Sequence, residues 1–466
     1  MESSINNIIL LTDSYKVTHW PQYPEGTKHV YSYFESRGGE YPYTVFFGLQ
    51  YFIKKYLTGC VVTHKMIDEA KELFALHFGN DKLFNESCWR YIAEELHGRL
   101  PVSIKAVPEG TKVPVSNVLM TIENTDPKCF WLTNYLETLL VQCWYPTTVA
   151  TQSYAIKQDI LSFLEQTGDP AGVGFKLHDF GFRGVSSPES AGIGGAAHLV
   201  NFMGTDTVAA LKIARDYYGC KMAGYSIPAS EHSTITSWGQ LGEALAYDNM
   251  LNKYPEGLVA CVSDSFDIIN ACDKIWGEQL RDKVLSRNGT LVIRPDSGDP
   301  APTVLKVMQT LEKRFPVTVN DKGFKVLDSH VRVIQGDGVN ARSITKILML
   351  LEANKFSADN IAFGMGGALL QKLDRDTQRF AFKCAAVNVR GEEREVFKKP
   401  VTDPSKNSKA GKLKLIKVNN DYGGTELMTV KQTEYVDQKD ILVEVFRDGE
   451  LTHEYSFDEV RANSNV

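Results

Sequence analysis

One recurring pattern limits what this chain can fold into. A short apolar run turns abruptly polar, and a helix-like segment follows. The clearest copy is Leu291-Val-Ile-Arg-Pro-Asp-Ser-Gly298, where three apolar residues, two of them β-branched, give way to an arginine, a proline, an aspartate and a glycine. Such a run reads as a short strand buried on both faces. Val259 to Asp267, Val331 to Gly338, Phe175 to Arg183 and Gly224 to His232 repeat the design, and Ile361 to Gly367 ends in glycines instead of acids. Helical spacing fills the gaps, as in 268–276, 303–315 and 343–353. Strand, polar loop and helix recurring about every 30–40 residues predict parallel βα units. Six units predict a closed or nearly closed barrel, and their uneven spacing excludes a solenoid.

A polar cluster at the carboxyl end of a buried strand has two readings. It is a solvated turn, or it is part of an active site carried by the loops above a rigid core. One copy does not choose between them; six copies favour the active site. The βα region runs from 170 to 375. Before it, 1–169 mixes an alternating strand (30–37), helical stretches and extended segments around Pro108-Glu-Gly110, and leads through the turn-rich Gly168-Asp-Pro-Ala-Gly172. After it, 376–466 is β-rich, with an Asp448-Gly449 hairpin signal and a lysine-rich polar stretch at 398–412. A β-rich tail of that size is expected to pack with the N-terminal region as one discontinuous domain. The fold class is therefore α/β: an irregular βα barrel plus a β-rich α+β domain built from both chain ends.

Charge decides which partners to expect. A net charge of −6 gives no reason for nucleic acid or an anionic membrane. Anionic substrates would then be met by individual arginines, lysines and glycine loops. The eight cysteines show no C-x-x-C pair and no zinc spacing, which fits reduced core thiols in a cytoplasmic protein. Met1-Glu-Ser-Ser-Ile-Asn-Asn7 lacks the basic start of a signal peptide. No apolar run approaches the ~20 residues of a membrane span.

Several residues could carry chemistry. Gly364-Met-Gly-Gly-Ala-Leu-Leu370 follows a strand and opens a helix, an arrangement that offers bare backbone N–H groups to a phosphate; a tight βα turn explains it too. Arg375 stands two turns later as a cation for the same anion or as a plain surface arginine. Gly192-Ile-Gly-Gly-Ala-Ala197 resembles a dinucleotide fingerprint only superficially, because no strand precedes it. Asp206, Asp264, Asp267, Asp296 and Asp337 sit at strand ends, where carboxylates can hold Mg²⁺ with substrate phosphates or stabilise a cationic sugar, or simply cap turns. His232 has Glu231 and Asp267 as candidate orienting acids, and a metal site there is disfavoured by the lack of a second nearby histidine. Ser226 and Ser263 lie in the same strand-end loops.

Seven motifs in order carry a resemblance. They are Thr12-Asp-Ser-Tyr-Lys-Val-Thr-His19, Leu177-His-Asp-Phe-Gly-Phe-Arg-Gly184, Gly204-Thr-Asp206, Ser230-Glu-His-Ser-Thr234, Ile293-Arg-Pro-Asp-Ser-Gly298, Gln335-Gly-Asp-Gly338 and Phe363-Gly-Met-Gly-Gly367. Together they resemble the nicotinamide phosphoribosyltransferases over nearly the whole chain. The resemblance implies a type II phosphoribosyltransferase fold in a homodimer with shared active sites. It implies condensation of nicotinamide with phosphoribosyl pyrophosphate, a need for Mg²⁺, and ATP as a co-substrate that phosphorylates a histidine.

By position, the resemblance assigns Phe180 and the partner's Tyr15 to the pyridine ring and Asp206 to the carboxamide. It assigns Arg294 to base and pyrophosphate, and Arg183 to diphosphate. It makes His232 the phosphorylated residue; Glu231 and Asp267, the acids that could orient it, are the further catalytic candidates. Asp296, Gly336 and Asp337 follow the ribose, with Ser226 and Ser263 as further substrate contacts. Gly366, Gly367 and Arg375 would hold the 5′-phosphate, and Lys383, Lys398 and Lys406 the other phosphates.

The chain departs from the vertebrate pattern in two places. The segment after Arg37 is short, and Phe182 stands where tyrosine is common; the first departure implies a bacterial-type member. Three other readings remain open. They are nicotinate phosphoribosyltransferase, a phosphosugar aldolase with Lys383 as Schiff base, and a non-catalytic binding protein on the same fold.

Overall fold

The structure, a computed structural model, describes residues 7–403, 406–419 and 424–465. The chain divides into two compact units, one made of 1–151, 216–220 and 374–466, the other of 152–215 and 221–373. The joints differ from the expected 169/170 and 375/376. The first falls inside the long helix Trp144–Thr167. Sequence patterning favours a turn as a border, but the second half of this helix is tied into the barrel unit. Gln152 donates to the Ala368 carbonyl (3.0 Å), and Lys322 Nζ caps the helix end on the Glu165 and Gly168 carbonyls (2.7 Å each).

The barrel unit holds a parallel sheet. In spatial order its strands are Gly204–Thr205, Leu177–Asp179, Ile361–Met365, Val331–Gln335, Leu291–Arg294 and Val259–Val262. The two edges are bridged by residues 225–230. Tyr225 pairs with Gly204 and Ala229 with Ala260, through Thr205 N to the Tyr225 carbonyl (3.0 Å) and Ala260 N to the Pro228 carbonyl (2.8 Å). Pro228 has no N–H to give, so this seventh segment makes single bridges and no regular ladder. The ring thus has seven positions. The unexpected one, Gly204–Thr205, is too short to show periodicity.

Strand parity sets the inside of the ring. Ala260, Val292 and Ile334 form one inner cluster with Phe180, Ile227 and Ala362 packed against it. These inward side chains are small or medium, so the ring keeps an open cavity of about 500 Å³ instead of filling. The outer positions, such as Leu291, Ile293 and Val333, are buried in the helical layer, which includes Pro300–Arg314 and Ala341–Ala353. The stretch 268–276 is a helical turn, Ile268–Asn270, that continues as a π-helix, Ala271–Gln279. The glycines at 192–197 lie within the helix Pro188–Leu199. A Cβ on Gly195 would fall 2.7 Å from that of Ala210, so they allow close helix packing and make no dinucleotide turn.

The other unit is built on a seven-stranded antiparallel sheet. Its order is Glu392–Glu395, Phe380–Val389, Thr27–Ser36, Val118–Asn124, Val102–Ala106, Val443–Arg447 and Glu450–Leu451. N-terminal strands form the middle and C-terminal strands both flanks. The tail therefore has its hydrogen-bond partners in the N-terminal region, as with Phe34 opposite Phe382. Glu392–Glu395 has no apolar residue and gives no sequence signal for the strand it forms. The Asp448-Gly449 turn is present, both residues at positive φ (50° and 85°), as a two-residue hairpin of matching twist requires. The apolar stretch 129–144 forms two short helices, Leu132–Tyr135 and Glu137–Val141. Among the described residues no helix is long and apolar enough to cross a membrane.

Candidate active site

The strand ends of the barrel unit converge on one charged mouth. Arg294 ends its strand and Asp296 follows two residues later, with Arg294 Nε 3.7 Å from Asp296 Oδ1. Asp264 joins the neighbouring loops: its Oδ1 lies 3.0 Å from His232 Nε2, and its Oδ2 accepts the Asp296 backbone N–H at 3.0 Å. The imidazole is about half exposed and the Asp264 side chain almost fully covered. A nearly buried carboxylate thus orients an accessible histidine. Burial raises the Asp296 carboxyl above the usual range, and Asp264 and Asp337 add to this while Arg294 and His232 oppose it.

Phe180 and Asp206 stand on the other side of this mouth. Phe180 N donates to the Met365 carbonyl (3.0 Å), and Asp206 N to the Asp179 carbonyl (2.9 Å). The Asp206 carboxylate accepts from Ser226 Oγ. A Cβ on Gly364 would fall 1.9 Å from Phe180 Cε2, so only glycine leaves the aromatic ring its place. Phe180, Asp206, Ser226 and Arg294 line the 500 Å³ cavity, whose walls include Ala260, Val292, Ile334 and Ala362. Its other end carries Lys176, whose Nζ donates to the carbonyls of Ala358, Asp359 and Ile361. Burial lowers the Lys176 ammonium to about 8. Arg294 Nε, Ser265 Oγ and Gln335 Oε1 are buried at the strand ends with no hydrogen-bond partner, as in a site that a polar ligand completes.

The phosphate-loop residues are also at strand ends. Gly366 and Gly367 lead from Ile361–Met365 into Gly367–Leu370, and nothing lies within 4 Å of where a Gly367 side chain would begin. Asp337 and Arg183 are exposed and Gly336 is half-buried.

Three expected site residues do other work. Ser263 is fully buried; it donates to the Cys261 carbonyl (3.0 Å) and accepts from Trp276 Nε1 (3.1 Å). Strand parity explains this, because Ala260 faces inward and Ser263, three residues on, faces the helices. Asp267 caps the next helix, accepting from Ile269 N and Asn270 N. Glu231 is the N-cap of His232–Thr236 in a capping box with Thr234. The orienting acid is Asp264, which sequence reading named only as one strand-end acid among five.

The antiparallel unit holds a second charged cavity of about 820 Å³. It gathers Tyr15, Arg375, Lys383, Lys398 and Lys406, with two cations not anticipated, Arg37 and Arg379. Asp13, Glu137 and Asp376 are its acids. Arg375 pairs with Asp376 (3.2 Å), Lys406 with Asp403 (3.2 Å), Arg37 with Glu35 (3.1 Å) and Glu137 with Lys16. Lys383 is half-buried. Burial lowers its ammonium below the usual lysine range; Arg37, Lys16 and Lys398 add to this and Glu137 opposes it. Asp13 fixes the Tyr15 segment by accepting from Thr138 Oγ1 (2.8 Å). Arg37 follows the strand Thr27–Ser36 and Arg379 precedes Phe380–Val389. Their meeting depends on the pairing of those strands, which single-residue patterns do not reveal.

A parallel βα ring with histidine, arginine and carboxylates at its strand ends, and a separate cation-rich cavity, define an α/β enzyme of phosphorylated substrates. Comparison with known proteins makes this specific. The model of the nicotinate phosphoribosyltransferase family matches residues 175–450, and that of the nicotinamide phosphoribosyltransferase N-terminal domain matches 7–104. The chain belongs to this phosphoribosyltransferase family. It is 52% identical to a nicotinamide phosphoribosyltransferase of Xanthomonas campestris over 99% of both chains. It is 33% identical to one of Acinetobacter baylyi, covering 96% of this chain and 95% of that one. The fold matches a crystal structure of nicotinate-nucleotide pyrophosphorylase from Pyrococcus furiosus, with TM-score 0.63, 16% identity, and coverage of 100% of this chain and 98% of that one.

Proposed function

We propose that this protein transfers the phosphoribosyl group of phosphoribosyl pyrophosphate to nicotinamide, giving nicotinamide mononucleotide and pyrophosphate in NAD salvage. The observation that carries this reading is the grouping of Phe180, Asp206, Arg294 and Asp296 around one strand-end mouth, in a chain 52% identical to a nicotinamide phosphoribosyltransferase. The pyridine nitrogen supplies an electron pair to ribose C1, and the C1–O bond breaks with its pair leaving on pyrophosphate. Nicotinamide has no ring proton to lose, so this step needs no general base. That fits the capping roles of Glu231 and Asp267. Positive charge on the sugar is met by Asp296, and negative charge on the leaving group by Arg294 and Arg183. Phe180 supplies an aromatic face for the flat, neutral base.

The Asp206 carboxylate accepts a hydrogen bond from the carboxamide and repels the carboxylate of nicotinic acid. Like-charge contact in a partly dry pocket costs several kcal/mol. This disfavours the nicotinate reading. The non-catalytic reading is disfavoured by an intact set of strand-end charges.

Among the described residues no group of three or more His, Cys, Asp or Glu side chains is arranged to hold a metal. Mg²⁺ therefore fits as an ion that arrives on the diphosphate, with one or two strand-end carboxylates adding oxygens. ATP fits as a co-substrate that phosphorylates His232, since that ring is accessible and oriented. We further assign a homodimer in which Tyr15, more than half exposed in the single chain, stacks on the nicotinamide held by the partner's Phe180. The 5′-phosphate goes to Gly366, Gly367 and Arg375, and the remaining phosphates to Lys383, Lys398 and Lys406. Reduced cysteines fit a cytoplasmic setting.

The test is mass detection of nicotinamide mononucleotide after incubation with nicotinamide, phosphoribosyl pyrophosphate and Mg²⁺. The expected result is product, with kcat/KM for nicotinamide orders of magnitude above that for nicotinic acid and the gap narrowed by Asp206→Asn. No product above a no-enzyme control overturns the reading.

A further inference from the structure

Asp179 lies between the two residues assigned to the base, yet it is fully buried and does not line the 500 Å³ cavity. Its Oδ1 accepts the Gly181 N–H at 2.7 Å, which bends the chain around Phe180. Its own carbonyl accepts the Asp206 N–H at 2.9 Å. One residue therefore fixes the aromatic ring on one side and the carboxylate on the other. Its surroundings leave little slack. A Cβ on Gly181 would fall 3.0 Å from Asp179 Oδ1 and 2.7 Å from Leu370 Cγ, and a Cβ on Gly195 would fall 2.9 Å from Asp179 Oδ2. Oδ2 makes no hydrogen bond of standard geometry, and the buried Thr207 hydroxyl is the side chain that interacts with the carboxyl. A carboxylate buried this way is costly to fold. Burial pushes its carboxyl up to about 6, the Gly181 N–H and the Thr207 hydroxyl oppose this, and the neighbouring Asp206 charge adds to it.

We propose that Asp179 is a positioning and specificity residue, which sets the spacing between the Phe180 ring and the Asp206 carboxylate and so the selection of an aromatic carboxamide over the matching acid. The inference rests on the proposed reading of the site. A buried acid that is only partly compensated is retained for geometry rather than for stability, as functional sites often hold strained or desolvated groups.

Asp179→Asn keeps the size and removes the charged acceptor. The expected result is a KM for nicotinamide raised roughly tenfold, kcat and the KM for phosphoribosyl pyrophosphate within about twofold, and a nicotinamide-to-nicotinate kcat/KM ratio reduced roughly tenfold. The melting temperature should be unchanged or higher, since a costly buried charge is gone. A purely structural role would lower the melting temperature and kcat together and leave the ratio alone; that outcome, or an unmoved nicotinamide KM, overturns the proposal.

If the variant does not fold, the wild type decides. Protonation weakens the bond from Gly181, so nicotinamide KM should rise as pH falls through about 6. Asp206 is the charged group facing Asp179 and helps to raise it, so Asp206→Asn should keep this limb and move it to lower pH; its loss in that variant assigns the titration to Asp206 and overturns the proposal. A flat nicotinamide KM across that range overturns it too. Wild type that makes no nicotinamide mononucleotide defeats the underlying reading instead, which separates the two failures.

Discussion

The strand-end mouth of the barrel unit and the charged cavity of the antiparallel unit are built on opposite plans. At the mouth, Asp206, Asp264, Asp296 and Asp337 each follow a short buried parallel strand, and Arg294 and Arg183 join them. In the antiparallel unit, Arg37, Arg375, Arg379, Lys383, Lys398 and Lys406 outnumber Asp13, Glu137 and Asp376. They come from strand ends, a long strand and a loop. The first plan suits a reaction centre: rigid strand ends hold carboxylates near a developing positive charge. The second suits a polyanion: long side chains reach phosphates from several directions, and strict geometry matters less. On the proposed function, covalent change belongs to the strand-end mouth.

Removing the strand-end charges should break this contrast most severely. Asp296→Ala or Arg294→Ala should lower kcat by about 10²–10³-fold with the fold retained, as for loss of a preorganised transition-state group. A single-turnover assay with matched circular dichroism spectra checks it. A change confined to KM would move the reaction centre elsewhere. His232→Ala should abolish ATP hydrolysis coupled to synthesis and leave ATP-independent synthesis measurable, because base and sugar contacts remain. Acid-labile label from γ-labelled ATP should appear on wild type only, and undiminished labelling of the variant would place the phosphate on another residue.

Subunit mixing asks whether the two plans cooperate across a dimer. Tyr15→Ala and Asp296→Ala should each be nearly inactive. With random exchange, half the dimers are mixed and one site in each carries neither lesion, so activity should recover to about a quarter of wild type. Proven exchange without recovery would confine Tyr15 to its own chain.

The pH profile should show both cavities, one on each limb. Asp296 has a raised carboxyl pKa, so the ionised form is lost as pH falls at a higher pH than an ordinary aspartate's ~3.9. That gives an acidic limb in kcat. Lys383 has a lowered pKa, so its ammonium is lost as pH rises, before an ordinary lysine's ~10.4. That gives an alkaline rise in the KM for phosphoribosyl pyrophosphate. Lys383→Arg should move the alkaline limb up and leave the acidic limb in place. Identical alkaline limbs in the two proteins would remove Lys383 from phosphate binding.

The smallest expected effect is a control. Asp267→Ala removes an N-cap that accepts two backbone N–H bonds and should cost about 1 kcal/mol of stability with little change in kcat. A large fall in kcat at unchanged stability would return Asp267 to catalysis.

The sequence by itself determined the parallel βα architecture and the strand-end location of chemistry. Both follow from local alternation between continuous apolar runs and polar turns, which is a property of neighbours along the chain. It also determined Arg294, Asp296 and His232 as candidates, because charge directly after a buried run is visible in one dimension. Tertiary structure alone decided which acid serves the histidine. Glu231 and Asp267 cap helix starts, while Asp264, thirty-two residues from His232, reaches it at 3.0 Å, where the segment ending at Ser230 lies beside Val259–Val262. It decided the fate of Ser263, since which face a strand residue takes depends on which face of the ring is filled. It closed the ring through Gly204–Thr205, too short to announce itself as a strand, and through 225–230, a unit visible in the sequence whose single bridges to both edges were not. It also drew Arg37 and Arg379 into a cavity with Tyr15, which required Thr27–Ser36 to pair with Phe380–Val389, more than 300 residues on. Local sequence carries periodicity and capping; long-range pairing depends on the summed burial of the whole sheet, and no single segment encodes it.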